Sequence, residues 1–365
     1  MESLLSVFWP YFLMVLALAL IFGFAAQRSA FCPVGGIREW VKERNPVRLA
    51  TYFGAIGVVI AITAWLEAAG LVSLNTTTPP YRSGDLAWGR YLIGGFVFGF
   101  GMVLAAGCSM RNLIRVGEGS FKALWLVAVM SVVAYIMTRT EFFASWVLPV
   151  VAPMTTTLSA GQQDLGTLLA SSDSVESARL WLGSVIGLAL LAFLLWRFSA
   201  FRRPGPVLTS LVIGGVVAAA FVLTGGDYGQ YLQEEAMFME TPPNGLATQS
   251  FTFAAPMGDV VYYFSDPQWA LVTFGVIAVF GLAIGSLISA LMQGTFQWKG
   301  FASIKDAWLS TVGAVMVGFG AVLAMGCSIG HGLTGTATLA LGSFMALAAI
   351  LAGAWVGVKL EKHWQ

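Results

Sequence analysis

The chain has 365 residues, of which 58% are hydrophobic and only 10% charged, with a formal net charge of +1. Soluble globular domains carry roughly 25% charged residues, so this composition excludes a soluble fold. The near-neutral balance also gives no electrostatic case for nucleic acid. Apolar runs of about 20 residues recur along almost the whole length, the mark of an all-α polytopic membrane protein embedded in a lipid bilayer.

The first apolar span runs from about Val7 to Gln27. Glu2 is the only charge ahead of it, so it reads as a retained helix rather than a signal peptide. It stops at Arg28-Ser29-Ala30-Phe31-Cys32-Pro33-Val34-Gly35-Gly36, where Pro33 and the paired Gly35 and Gly36 interrupt a regular helix. A basic amphipathic segment (Arg38, Lys42, Arg44, Arg48) leads to the second span, Leu49 to Val72. After a polar turn, Asn75 to Tyr81, come the third span (Leu86 to Ala106) and the fourth (Leu124 to Met137). Arg139 to Glu176 is a long connection. Its apolar piece, Phe142 to Val151, is too short to cross and is expected to lie at the interface or re-enter; a polar piece follows around Gln162 to Ser174. The fifth and sixth spans are Ala178 to Trp196 and Pro206 to Thr224. Gly225 to Pro267 is polar, aromatic and mildly acidic, and reads as an external loop or cap. The seventh, eighth and ninth spans are Trp269 to Met292, Ala307 to Met325 and Leu339 to Val358.

With the N-terminus outside, the loops placed inside begin near Arg28, Arg111, Arg197, Lys299 and Lys359. These clusters hold most of the Lys and Arg, as the positive-inside rule requires. Nine spans with the N-terminus out and the C-terminus in is the expected topology.

One stretch organises the rest. Gly99-Phe100-Gly101-Met102-Val103-Leu104-Ala105-Ala106-Gly107-Cys108-Ser109 reappears 219 positions later as Gly318 to Ser328, changed only at Met102/Ala321 and Ala106/Met325. The copies end the third and eighth spans, five crossings apart, so they run antiparallel. Two broken helices of an inverted repeat can then converge from opposite faces on a site near the bilayer midplane. The repeats are expected at about 1–140 and 206–365 of a single domain, joined by 141–205, with 225–267 as the external loop. The first span is paired with the seventh, where Gln293-Gly294-Thr295-Phe296 stands in place of a thiol.

There are three cysteines and two histidines, with no CxxC. Neither a disulfide framework nor a metal cluster is expected, and no cofactor is implied. Free cysteine often serves as a small buried hydrophobe. Here, however, Cys32, Cys108 and Cys327 all fall at breaks flanked by glycine or proline. Polarity rises abruptly at Gly107-Cys108-Ser109 and Gly326-Cys327-Ser328. Unwound backbone at membrane depth is tolerated only against protein or a wet cavity, and its N–H groups suit an anion. Arg111 and Arg115 share the face of Cys108 and either draw an anion to the pore mouth or set topology by snorkelling. His331, four residues after Cys327, lines the path or makes a local hydrogen bond.

Phe31-Cys32-Pro33-Val34-Gly35-Gly36, the two Gly-Phe-Gly…Gly-Cys-Ser copies, Val116 to Lys122, and Gly332-Leu333-Thr334-Gly335 through Leu341 to Phe344 resemble the YeeE/YedE family over nearly the whole chain. The resemblance implies a bacterial inner-membrane protein that takes up thiosulfate, with relatives proposed for other sulfur or selenium compounds. It also implies an hourglass-like pathway, functional roles for Cys32, Cys108 and Cys327, and a small cytoplasmic sulfur carrier of the TusA type as partner. Cys108 and Cys327 are expected to bind the anion between the converging breaks and Cys32 to hand it on. Such a relay needs thiols that stay protonated, because a thiolate would repel the anion. A membrane thiol oxidoreductase, a selenium-compound transporter and an anion channel with no thiol role are the alternatives.

Overall fold

The computed structural model describes residues 2–170 and 174–363, with side chains placed from residue 8 to 362. Among the described residues, nine helices are long and apolar enough to cross a membrane. They contain α1 (Glu2–Arg28), α3 (Val47–Ala68), α4 (Gly95–Leu104), α6 (Phe121–Arg139), α9 (Val175–Arg197), α10 (Pro204–Gly225), α13 (Phe274–Met292), α14 (Ile304–Leu323) and α15 (Leu341–Leu360). Shorter helices complete the frame: α2 (Pro33–Glu43), α5 (Ser109–Gly117), α7 (Leu148–Val151), α8 (Leu165–Leu169), α11 (Asp227–Met237) and α12 (Ala254–Ser265). A π-helical turn precedes α4 at Arg90–Gly94, and a second, Gly330–Gly335, lies between α14 and α15.

Polar residues set where these helices begin. Ser120, Thr273 and Ser303 accept the N–H three residues on and start α6, α13 and α14, while Pro33 and Pro204 occupy first-turn positions whose N–H would be unpaired anyway. Trp9, Trp65, Trp181, Trp196, Trp298 and Trp308 are exposed at or near span ends, where an amphipathic ring suits the membrane–water boundary.

Glycine fixes how the spans cross, because a backbone without Cβ lets helices approach closely where lipid supplies no hydrophobic drive. A Cβ added at Gly101 would lie 3.0 Å from the Gly313 carbonyl oxygen, one at Gly94 would lie 2.5 Å from the Ala324 nitrogen, and one at Gly320 would lie 2.5 Å from the Phe98 nitrogen. Numbers rise along α4 as they fall along α14, so the two motif helices are antiparallel. Gly95 meets Ala346, Gly99 meets Ile350 and Gly357 meets Val103, so α4 and α15 run parallel.

The first and seventh spans depart from expectation. They do lie together: Phe8 and Trp269 rings are 6.3 Å apart, Gly281 meets Leu16, Gly285 meets Leu20, and Ser289 Oγ donates to Gln27 Oε1 at 2.6 Å. Yet this register is parallel, as six crossings require, so α1 and α13 are neighbours and not inverted copies. Packing relates other elements instead. α13 packs on α1 as α3 packs on α10; α15 packs on α4 as α6 packs on α14; α2 packs on α15 as α12 packs on α6. Each pair maps onto its fellow when α1, α2, α3, α4 and α6 are exchanged with α10, α12, α13, α14 and α15.

The connections are built rather than loose. The apolar piece after α6 is a short helix, Phe143–Met154, whose Val147 and Val151 bury against Met137 and Leu323. Gln163 and Asp164 in the following polar piece are fully buried and stitched to the start of α15: Leu165 N–H donates to Leu339 O, and Leu341 N–H to Gln163 O. Between α10 and α13, Ser250 to Ala254 turn inward; Phe251 and Phe253 are fully buried, and Thr334 Oγ1 donates to Phe251 O at 2.6 Å.

Candidate transport pathway

All three cysteines sit in one backbone device. Two residues before each, a non-glycine residue adopts left-handed φ: Ala30 at 52°, Ala106 at 53° and Met325 at 63°. Its N–H bonds back three residues (Ala30 to Gln27 O, Ala106 to Val103 O, Met325 to Val322 O), and the next N–H bonds back five (Phe31 to Ala26 O, Gly107 to Met102 O, Gly326 to Ala321 O). This pair of bonds is the Schellman motif, which ends a helix while satisfying its last carbonyls. Each left-handed residue with a Cβ costs roughly 1–2 kcal/mol, strain of the kind that clusters at functional sites.

The cysteine then starts the next segment. Gly35 N–H donates to Cys32 Sγ at 3.3 Å and Gly330 N–H to Cys327 Sγ at 3.4 Å. The Arg111 N–H is directed at the Cys108 sulfur without closing a full capping bond. All three thiols are free and buried. Cys108 lies within electrostatic reach of both Cys32 and Cys327, and the Ser328 hydroxyl faces it.

Gly107 and Gly326 have a steric reason to be glycine. A Cβ at Gly107 would meet the Asn112 amide nitrogen at 3.0 Å, and one at Gly326 would meet His331 Nε2 at 2.8 Å. Both intruders stand four residues after a cysteine and hold break carbonyls. Asn112 Nδ2 donates to Gly107 O and Cys108 O at 3.0 and 3.1 Å. His331 Nε2 lies 2.7 Å from Ala324 O, and Nδ1 lies 3.2 Å from Ser343 Oγ. A carbonyl only accepts, so the proton sits on Nε2 and Nδ1 takes the Ser343 hydroxyl. His331 is therefore a brace of the break, the local hydrogen-bonding role.

Arg111 pairs with Glu118 at 3.2 Å. Arg115 reaches the break itself, its Nη1 donating to Ala106 O at 2.5 Å. Gly36 lets α2 seat against α3, since a Cβ there would lie 2.7 Å from the Leu49 nitrogen; Gly35 leaves room for Arg48, whose Nη1 would lie 2.7 Å from an added Cβ. A cavity of about 760 Å³ opens beside this point, lined by Phe31, Ser29, Arg28, Arg48 and the start of α10. Ser109 and Ser328 are fully buried, and neither hydroxyl has a hydrogen-bond partner among the described residues.

One residue joins the breaks. Tyr52, fully buried in α3, donates its hydroxyl to Ser328 O at 2.6 Å, packs on Phe31 with ring centroids 5.9 Å apart, and lies within electrostatic reach of Cys108 and Cys327. Of the residues singled out from sequence, the fold thus brings together Cys32, Cys108, Cys327, Ser328 and Gly35, and gives Arg111 and His331 other partners. Tyr52 and Asn112 escaped the sequence reading. Asn112 was findable, because it and His331 occupy matching places in the repeat. Removing the Tyr52 hydroxyl leaves the Ser328 carbonyl buried and unpaired, at a cost of about 1–3 kcal/mol. Tyr52→Phe is therefore expected to lower the unfolding temperature of the detergent-purified protein by several degrees.

Among the described residues, nine membrane-length helices, with antiparallel twin helices broken at buried thiols, make this a polytopic membrane protein of the inverted-repeat kind that transporters use. The family model described as sulphur transport matches residues 28–356, and the chain belongs to that family, the one its motifs resemble. It is 28% identical to the thiosulfate transporter TsuA of Escherichia coli K12 over 356 residues, which cover 92% of this chain and 90% of that one. It is 27% identical to the thiosulfate transporter TsuA of Spirochaeta thermophila over 354 residues, or 93% and 96% of the two chains. A shorter match of 106 residues, 27% identical, joins 29% of this chain to 24% of the probable transporter YedE of Salmonella typhimurium.

Proposed function

We propose that this protein takes thiosulfate, or a closely related sulfur anion, into a bacterial cell across the inner membrane. The observation that carries the reading is the gathering of three buried thiols around Cys108, each placed by the same strained break, with Tyr52 beside Cys108 and Cys327. A dianion is prohibitively costly in hydrocarbon, so each step along its path needs fixed donors. A protonated thiol offers a weak S–H donor and a polarizable surface without a charge of its own. Three weak stations in series hold the ion without trapping it.

The N-terminus lies outside, on the balance of basic residues between alternate loops. The ion then meets Cys327 first, passes Cys108 and leaves by Cys32. Arg28, Arg48, Arg115 and the neighbouring cavity draw it toward the cytoplasm, where a TusA-like protein is the partner that receives the anion. Names of the thiosulfate-transporting relatives support the substrate.

The test is uptake of labelled thiosulfate by cells stripped of their own sulfur importers and supplied with this gene. Uptake that saturates and is competed by unlabelled thiosulfate supports the reading. Absence of uptake in cells whose membranes hold the folded protein contradicts it and turns the search to selenium compounds.

A further inference from the structure

The exchange of α1–α6 with α10–α15 has a chemical consequence for the outer end of the path. Cys32 is the residue before α2, and α2 exchanges with α12. The residue that directly precedes α12 is Phe253, so Phe253 takes the place of Cys32 and Thr252 stands one residue before it in the same inward-turning stretch, Phe251-Thr252-Phe253. Here Thr252 Oγ1 stands 3.8 Å from Cys327 Sγ, much as Cys32 stands within reach of Cys108. The repeat thus sets an apolar ring where a fourth thiol would stand, with the Thr252 hydroxyl beside it, and Gln293 to Phe296 is not that place.

A second hydroxyl converges on the same spot. Tyr81 is 3% exposed, and its phenol has no hydrogen-bond partner among the described residues. Its ring lies edge-on to His331, centroids 5.9 Å apart. The space between the two hydroxyls is kept by Gly330, whose N–H donates to Cys327 Sγ. A Cβ at Gly330 would lie 2.8 Å from Thr252 Oγ1 and 3.3 Å from the Tyr81 hydroxyl. Thr252 is only partly buried, while Cys327 beside it is fully buried. A buried hydroxyl without a partner is uncommon in a folded protein and asks for an explanation. A cradle bounded by two hydroxyls, an N–H and a thiol supplies one.

We propose that Tyr81 and Thr252 form an oxyanion-recognition station at Cys327, which selects anions carrying both sulfonate-type oxygens and a soft terminal chalcogen. The hydroxyls donate to the oxygens, and the thiol of Cys327 meets the soft end. The station rests on the transport reading above and adds the residues that discriminate among substrates.

The test is labelled-thiosulfate uptake kinetics for wild type, Tyr81→Phe, Thr252→Val and Thr252→Ser, with unfolding temperatures of the purified proteins. Losing one hydrogen bond to a charged oxygen is expected to raise KM about ten-fold or more in Tyr81→Phe and in Thr252→Val. Thr252→Ser keeps its donor and transports like wild type. Because the Tyr81 phenol is unpartnered in the fold, Tyr81→Phe melts at or above the wild-type temperature, a result that a merely structural role would not give. Wild-type KM in both Tyr81→Phe and Thr252→Val, or a melting temperature that falls in step with transport, overturns the station. No uptake by the wild type overturns the transport reading instead.

Discussion

Replacing Cys327 or Cys108 by alanine is expected to cut thiosulfate uptake by roughly 10- to 100-fold, the loss of one donor to a charged substrate where no water can stand in. Each substitution removes one sulfur atom and leaves the Schellman break intact, since the backbone bonds that end α4 and α14 involve no thiol. Cys108→Ala, whose sulfur closes no capping bond, should therefore keep its membrane level and melting temperature close to wild type, whereas Cys327→Ala also takes the acceptor from the Gly330 N–H and should melt a few degrees lower while still reaching the membrane. Cys32→Ala should also impair uptake. It sits where Arg48 crowds Gly35 and Arg115 grips Ala106, so these cations partly offset its loss. Unimpaired uptake in both Cys108→Ala and Cys327→Ala would remove the thiols from the path.

Asp164→Ala is expected to destabilise the protein by about 3–5 kcal/mol, the usual consequence of orphaning a buried charge. Asp164 is fully buried and takes two guanidinium bonds from Arg179, both at 2.9 Å, with further bonds from Thr167 N–H and Oγ1. Arg179 also reaches Asn75, and Glu67 pairs with the fully buried Arg82 at 2.5 Å. Arg82 Nε in turn donates to Thr338 O at 2.9 Å. The cluster thus ties the second and fifth spans to the turn between the π-helical segment Gly330–Gly335 and α15. Burial alone would raise the Asp164 carboxyl, but the Arg179 and Thr167 bonds more than offset it and hold the group below the usual carboxylate range. A depressed carboxylate contributes stability that is full above its unfolded value, near 3.9, and is lost as pH falls through the lower folded one. The deficit of Asp164→Ala should therefore be constant from about pH 5 to 9, a dependence read from melting temperatures of wild type and variant across that range.

Hydropathy alone placed the nine spans, because a membrane helix declares itself by an uninterrupted apolar run. The duplicated Gly-Cys-Ser stretch likewise marked two of the three breaks and their antiparallel setting. What stayed hidden depends on contacts far apart in sequence. Tyr52 is one polar group in an apolar helix, and only the fold sets its hydroxyl on Ser328, 276 positions away. The pairing of the first span with the seventh followed resemblance in sequence order, whereas helix direction and packing assign the counterpart of Cys32 to the stretch before α12, Phe251 to Phe253. That correspondence has almost no sequence trace. Asp164 and Arg179 looked like residues of an ordinary polar connection, yet each is the other's partner in a buried cluster.

Under the proposed function, this chain itself carries an intact sulfur anion along its thiols. The most direct test uses purified protein in liposomes, with thiosulfate labelled separately on its outer and inner sulfur atoms. Both labels should enter at the same rate and in equal amount, and both should fail together in Cys327→Ala. Arrival of the outer sulfur alone would contradict the account and mark the thiols as sites of sulfur exchange.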